Sequence, residues 1–109
     1  MNTITLPFLG IVNGFMFQIK DVYMFPVYQY NSVAIVTPIK VLDPLQKEKD
    51  YVFVTKDESA FLRRFIKIDK ENCFVKITNT AIAGRTIKIP IKEIKEVYSV
   101  EYIISKTNN

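Results

Sequence analysis

Few groups in this chain could do covalent chemistry. There is no His, which excludes a Ser-His-Asp triad, a Cys-His pair and any His-ligated metal site within the chain. A single Cys, Cys73, excludes an intramolecular disulfide and a thiolate metal cluster. Three Gly leave no phosphate-cradling loop of the G-x-x-x-x-G-K type. The remaining nucleophiles are four Ser, eight Thr and Cys73, and a base must be Lys, Asp or Glu. Any catalysis would therefore use a Ser-Lys pair or a carboxylate pair. Ser32 with Lys40 or Lys67 is such a pair on paper. Ser32 also sits at a turn ahead of an apolar run, and Ser59 lies in a polar turn, so backbone bonding within a turn accounts for both. No cofactor is implied by these residues.

Two other clusters could bind rather than react. Tyr23, Phe25, Tyr28 and Tyr30 form a dense aromatic group, suited to stacking on single-stranded bases or, as the expected role, to packing. Arg63 and Arg64 are adjacent, so on a strand they point to opposite faces. One of them can contact an anion or a partner, while a solvated stem over apolar surface is the simpler reading. The formal net charge is +4, all of it in the second half: residues 1–54 are neutral and residues 55–109 carry +4. Acids such as Glu71, Glu93, Glu96 and Glu101 are mixed through that half, so alternation explains most lysines as a solvated strand face. Nucleic-acid binding through this half and the tyrosines is an alternative function.

The elements that must position these groups are strands. One hundred and nine residues make one domain, 1–109, with 49% apolar and 24% charged residues. The apolar set is dominated by 15 Ile, 11 Val and 8 Phe, with 8 Thr and 6 Tyr beside them, whereas Leu and Ala total 9. Such side chains lose rotamer freedom in a helix and pack well on a pleated surface. The segment from Ile4 to Ile19 is broken by Pro7, Gly10, Asn13, Gly14 and Gln18 and lacks a basic leader, so neither a membrane span nor a signal peptide is expected. A cytoplasmic protein follows as the expectation. Strands are predicted at Val33–Thr37, Tyr51–Thr55, Ala60–Ile68, Cys73–Thr78, Thr86–Ile91 and Val97–Ile104, with Pro38 limiting the first. Lys56–Ser59 and Asp69–Asn72 are their turns, and Pro90–Lys95 could hold one helical turn. Phe15 and Phe17 suggest an edge strand or flap, Cys73 a small buried residue, and Ile87, Ile89 and Ile91 an inward face.

This order resembles the C-terminal domain of LexA-type repressors, the Ser-Lys self-cleaving peptidase family that includes UmuD-like proteins. The matching parts are Tyr51-Val-Phe-Val, Lys56-Asp-Glu-Ser, Leu62-Arg-Arg, Val75-Lys-Ile-Thr-Asn79, Ile87-Lys-Ile-Pro and Val97-Tyr-Ser-Val-Glu-Tyr-Ile-Ile104. Upstream, Asp21-Val-Tyr-Met-Phe-Pro26 is similar to the family's Gly-Asp-Ser-Met-x-Pro, with Met24 and Pro26 in register. The resemblance implies a mainly β, twisted, partly closed antiparallel assembly. It places Tyr23 at the nucleophile and Arg63 at the base. Arg stays protonated and cannot take a proton, so both halves of the dyad are lost. Ala83-Gly84, the literal counterpart of the cleavable Ala-Gly, lies in the wrong part of the chain.

The expected function is therefore non-catalytic: a dimerisation or protein-interaction module of transcriptional regulation, with no helix-turn-helix segment ahead of the β region. Tyr23, Met24, Pro26, Arg63 and Arg64 would line the former cleft or meet a partner. Tyr98, Val100, Tyr102 and Ile104 form one apolar side of the last strand, an edge that a homodimer or a related repressor would cover. A Ser-Lys hydrolase using a displaced Ser32 is the enzymatic alternative.

Overall fold

The computed structural model describes residues 2–6, 11–40 and 44–104. Among the described residues, eight strands form one sheet: β1 (Asn2–Leu6), β2 (Ile11–Gln18), β3 (Val33–Ile39), β4 (Asp50–Thr55), β5 (Ala60–Asp69), β6 (Phe74–Thr78), β7 (Thr86–Pro90) and β8 (Ile94–Ile104). Their order is β1-β2-β3-β8-β4-β5-β6-β7, and every neighbouring pair is antiparallel. A 3-10 turn, Ile91–Glu93, occupies the segment expected to hold one turn. The mainly β, antiparallel expectation holds. No helix is long and apolar enough to cross a membrane among the described residues.

Local chemistry explains the hairpins. In the β4–β5 turn the Asp57 carboxylate accepts from the Ser59 N–H at 3.1 Å and from the Thr55 hydroxyl. In the β5–β6 turn Asp69 accepts from the Asn72 N–H and side-chain amide, both at 3.0 Å. Pro38 does not end β3, which continues to Ile39 opposite β8. The β2 pairing stops at Phe15–Val36, so Pro38 lies where β3 has one neighbour only, and its missing N–H costs no ladder bond.

Partial closure is not observed. Among the described residues β1 and β7 end an open sheet. The reason lies in the two-sided burial of its centre. One cluster takes Phe17, Met24, Ala34, Val36, Val52, Val54, Leu62 and Tyr98, and a second on the other face takes Tyr51, Phe53, Phe65, Val75, Ile77, Ile89 and Val97. Every apolar side chain of β4 is therefore buried, odd residues in one cluster and even residues in the other. A closed barrel has one apolar interior and an outward polar face, which β4 does not offer. Residues 19–32 complete the first cluster by folding Ile19 and Met24 onto it.

Further expectations are corrected. Cys73 is exposed, at φ 59 in the turn before β6, rather than buried. Ile87 is half exposed because β7 is an edge strand, leaving Ile89 as the buried member of its face. β8 is not an edge: it pairs with β3 from Val97 to Ile104 and with β4 from Ile94 to Ser99. The side Tyr98, Val100, Tyr102, Ile104 is also not one side. Ile35 pairs with Tyr102 and Val36 with Val100, so Glu101 is an extra residue in a bulge. Beyond the bulge Ile103 turns to the first cluster, while Tyr102 and Ile104 stay exposed at 43% and 55%. Phe15 and Phe17 sit on β2, one strand in from the edge, with Phe15 edge-on to Tyr98 at 5.5 Å.

Candidate functional site

Residues 19–32 travel from the end of β2 across the end of the sheet and return to β3. Ile19 N–H donates to Ser32 C=O at 2.9 Å, closing the base of this excursion. A short turn follows in which Tyr28 N–H bonds Met24 C=O at 2.8 Å. Met24, 1% exposed, is the anchor. Its neighbours Tyr23, Phe25 and Pro26 face outward. The 79–85 crossing docks on the same turn: Thr80 and Ala81 N–H both donate to Tyr23 C=O at 3.0 Å, and Thr80 hydroxyl donates to Phe25 C=O at 3.1 Å.

This path brings Tyr23 to Arg63, forty residues away in sequence. The Arg63 guanidinium carbon lies 4.8 Å from the Tyr23 ring centroid and 5.5 Å from that of Phe61. Its Nη1 donates to Asp21 Oδ2 at 3.2 Å and to Leu62 C=O at 2.7 Å. Arg63 is 8% exposed, so its charge is met by one carboxylate and two rings rather than by water. Beside it lies a cleft of about 380 Å³ whose lining includes Tyr23, Arg63, Asn79, Arg85 and Ile87. The arrangement can hold a partner group; its cation is an arginine, which does not give up its proton, and it is already paired with Asp21. The same pairing removes Arg63 as a ready anion contact.

Arg64 lies on the opposite face, as adjacent strand residues must. There its Nε donates to Asp50 Oδ1 at 2.9 Å, its Nη2 to Asp50 Oδ2 at 3.3 Å, and Tyr28 hydroxyl donates to Asp50 Oδ2 at 2.7 Å. Tyr28 thus ties residues 19–32 to the β4–β5 hairpin. The tyrosine cluster is accordingly split: Tyr23 covers Arg63, Tyr28 bonds Asp50, and Phe25 and Tyr30 are exposed. Asp21 and Asp50 were not singled out by sequence reasoning. The predicted Lys56–Ser59 turn would set Asp50 opposite Phe65; the observed turn closes one residue tighter, Thr55 N–H on Ser59 C=O at 2.9 Å, and this sets Asp50 opposite Arg64. Asp21 had no comparable signal, because its contact with Arg63 spans two distant segments.

Ser32 is fully buried, and its Oγ has no hydrogen-bond partner. Lys40 lies just past the other end of β3, roughly 25 Å away along extended chain. Lys67 is exposed on β5 and makes no hydrogen bond to Ser32. Ser32 is therefore a core residue, not an accessible nucleophile. Ser32→Ala is expected to hold stability or raise it by about 1 kcal/mol, since it deletes an unsatisfied buried hydroxyl. A urea melt showing a loss above that size would instead reveal a bond that the hydroxyl makes. No family model, curated protein or solved structure matches this chain.

Proposed function

We propose that this chain is a non-catalytic relative of LexA-type repressor peptidase domains, working as a dimerisation or protein-interaction module in transcriptional regulation. The observation that carries the reading is Tyr23 set against Arg63 of β5, with Asp21 neutralising the guanidinium. The resemblance assigns the nucleophile and base to these two positions, and they are neighbours in space. With Tyr and a paired Arg there, the constellation cannot generate a neutral amine beside a hydroxyl.

Exposed apolar groups around the same place supply a binding surface. Val22, Phe25 and Val27 are each more than half exposed, and Ile82 and Ile87 stand on the facing crossing and edge strand. Such a concentration is typical of interaction sites. For self-association, Tyr102 and Ile104 remain from the expected dimer set. They lie where β8 has run past its β4 partner and pairs with β3 alone.

Sedimentation equilibrium across the micromolar range is the test. A reversible dimer is expected, weakened at least about tenfold by Ile104→Asp, the size of losing one well-packed apolar contact. A wild-type monomer at high micromolar concentration would count against the dimer. Labelling of the wild-type chain by a fluorophosphonate would overturn the non-catalytic reading.

A further inference from the structure

The face of the sheet that carries the first cluster continues over β5, β6 and β7, where residues 19–32 do not cover it. Register places three lysines side by side there. Lys67 pairs with Lys76, and Lys76 pairs with Lys88. The bulge at Ile66 matters: it shifts β5 by one residue and turns Lys67 onto the face of Lys76. Directly opposed like charges on adjacent strands destabilise a sheet. None of the three makes a salt bridge among the described residues. One acid stands in the neighbouring row: Asp69 bonds Asn72 through both carboxylate oxygens and feels the Lys67 ammonium, which helps hold its carboxyl below the usual range, so three lysines share one nearby carboxylate. The adjacent row on the same face adds Arg64, Thr78 and Thr86, and beyond Arg64 a hollow of about 560 Å³ is lined by Lys47, Glu48, Ile66 and Thr78. An aromatic side chain borders the lysines: Lys88 Nζ is 4.8 Å from the centroid of Phe74, which is half-buried and opposite Pro90.

We propose that the Lys67–Lys76–Lys88 ladder with Phe74 is a binding face for single-stranded nucleic acid, separate from the Tyr23–Arg63 site. An anion laid along the row of ammonium groups would relieve their mutual repulsion. Phosphates following the row would do so, and an adjacent aromatic ring gives a base a stacking platform. A single strand fits better than a duplex because the row is one lysine wide and lies on an open sheet face, where unstacked bases can reach Phe74.

Fluorescence anisotropy with a labelled 20-nucleotide oligothymidine tests it on the full chain. Three phosphate contacts predict a slope of log K against log salt near −2, or about twentyfold weaker binding between about 50 and 200 mM salt. The triple variant Lys67→Gln, Lys76→Gln, Lys88→Gln should lose at least about tenfold in affinity and most of that slope. Phe74→Leu should weaken binding several-fold and leave the slope unchanged, because stacking carries no counterions. Removing like charges should leave the triple variant melting at or above the wild-type temperature, which guards against misfolding as the cause. Wild-type protein that does not bind at about 50 mM salt, or a triple variant that binds as well as wild type, would sink the proposal. Equal binding of a duplex of the same length would remove the single-strand assignment. Displacement by poly-glutamate at matched charge would reduce the face to a general polyanion surface and overturn the nucleic-acid assignment.

Discussion

Asp50→Ala should cost about 3 kcal/mol or more, one of the two largest effects expected of any single change at the candidate site. Asp50 is 8% exposed and holds two partners at once, the Arg64 guanidinium and the Tyr28 hydroxyl. Removing it strands both. Arg64 keeps about a third of its side chain in contact with water, which puts the cost at the lower end of the range for broken buried pairs. At this size a melting temperature lower by more than about 10 °C is expected. Tyr28→Phe alone should cost about 1.5–3 kcal/mol, and the double variant should fall short of the sum because the two changes remove one shared bond. A loss below about 1 kcal/mol for Asp50→Ala would mean that the network is surface decoration.

The same network sets an alkaline limit. Burial, and then the hydrogen bond to Asp50, raises the Tyr28 phenol well above its usual value. Burial and the bond to Glu96 push Tyr98 up to about 12. In the unfolded chain both phenols lose their protons near pH 10, whereas in the fold they keep them. Above that point the folded state binds more protons than the unfolded state, so stability is complete below about pH 10 and falls as pH rises further. Denaturant midpoints between pH 8 and pH 11.5 should show this fall, and Tyr28→Phe with Tyr98→Phe should flatten it.

Met24→Ala is the second large effect, expected at about 2–5 kcal/mol. Met24 is the fully buried apolar anchor of the turn that presents Tyr23 and Phe25, and its side chain lies in the first cluster with Leu62 and Val52. The deletion leaves a cavity under residues 21–30, so the segment should loosen before the sheet does. Hydrogen exchange should speed up first at the Tyr28 amide, bonded to Met24 C=O, and at the Thr80 and Ala81 amides, bonded to Tyr23 C=O. Partner binding through Phe25 should weaken with it. If those amides exchange no faster than in wild type, the turn is held by its backbone bonds and Met24 is not its anchor.

The turns and hairpins were readable because their causes are local. Asp57 and Asp69 accept from backbone N–H groups two and three residues on, and Val75 and Ile77 alternate with Lys76 over a single strand. Absent His and solitary Cys73 likewise limited the chemistry without any fold. Asp50 opposite Arg64 does not belong to this legible part: a turn one residue tighter than Lys56–Ser59 sets that register.

Other features had no local cause. β8 reads as a terminal apolar strand, yet it lies at the centre of the sheet between β3 and β4. That placement depends on pairing with Val33–Ile39, some sixty residues earlier, and on a bulge at Glu101 that sends Tyr102 to solvent and Ile103 inward. The stacking of Tyr23 on Arg63 depends on where residues 19–32 cross the sheet, and the lysine ladder on one extra residue at Ile66. A one-residue shift in register moves every later side chain to the other face. Composition and period therefore determined that this chain is an antiparallel β protein without His chemistry or an intramolecular disulfide. Which of its charged and aromatic side chains meet was decided only by strand order and bulges, because those are set by contacts between segments far apart in the chain.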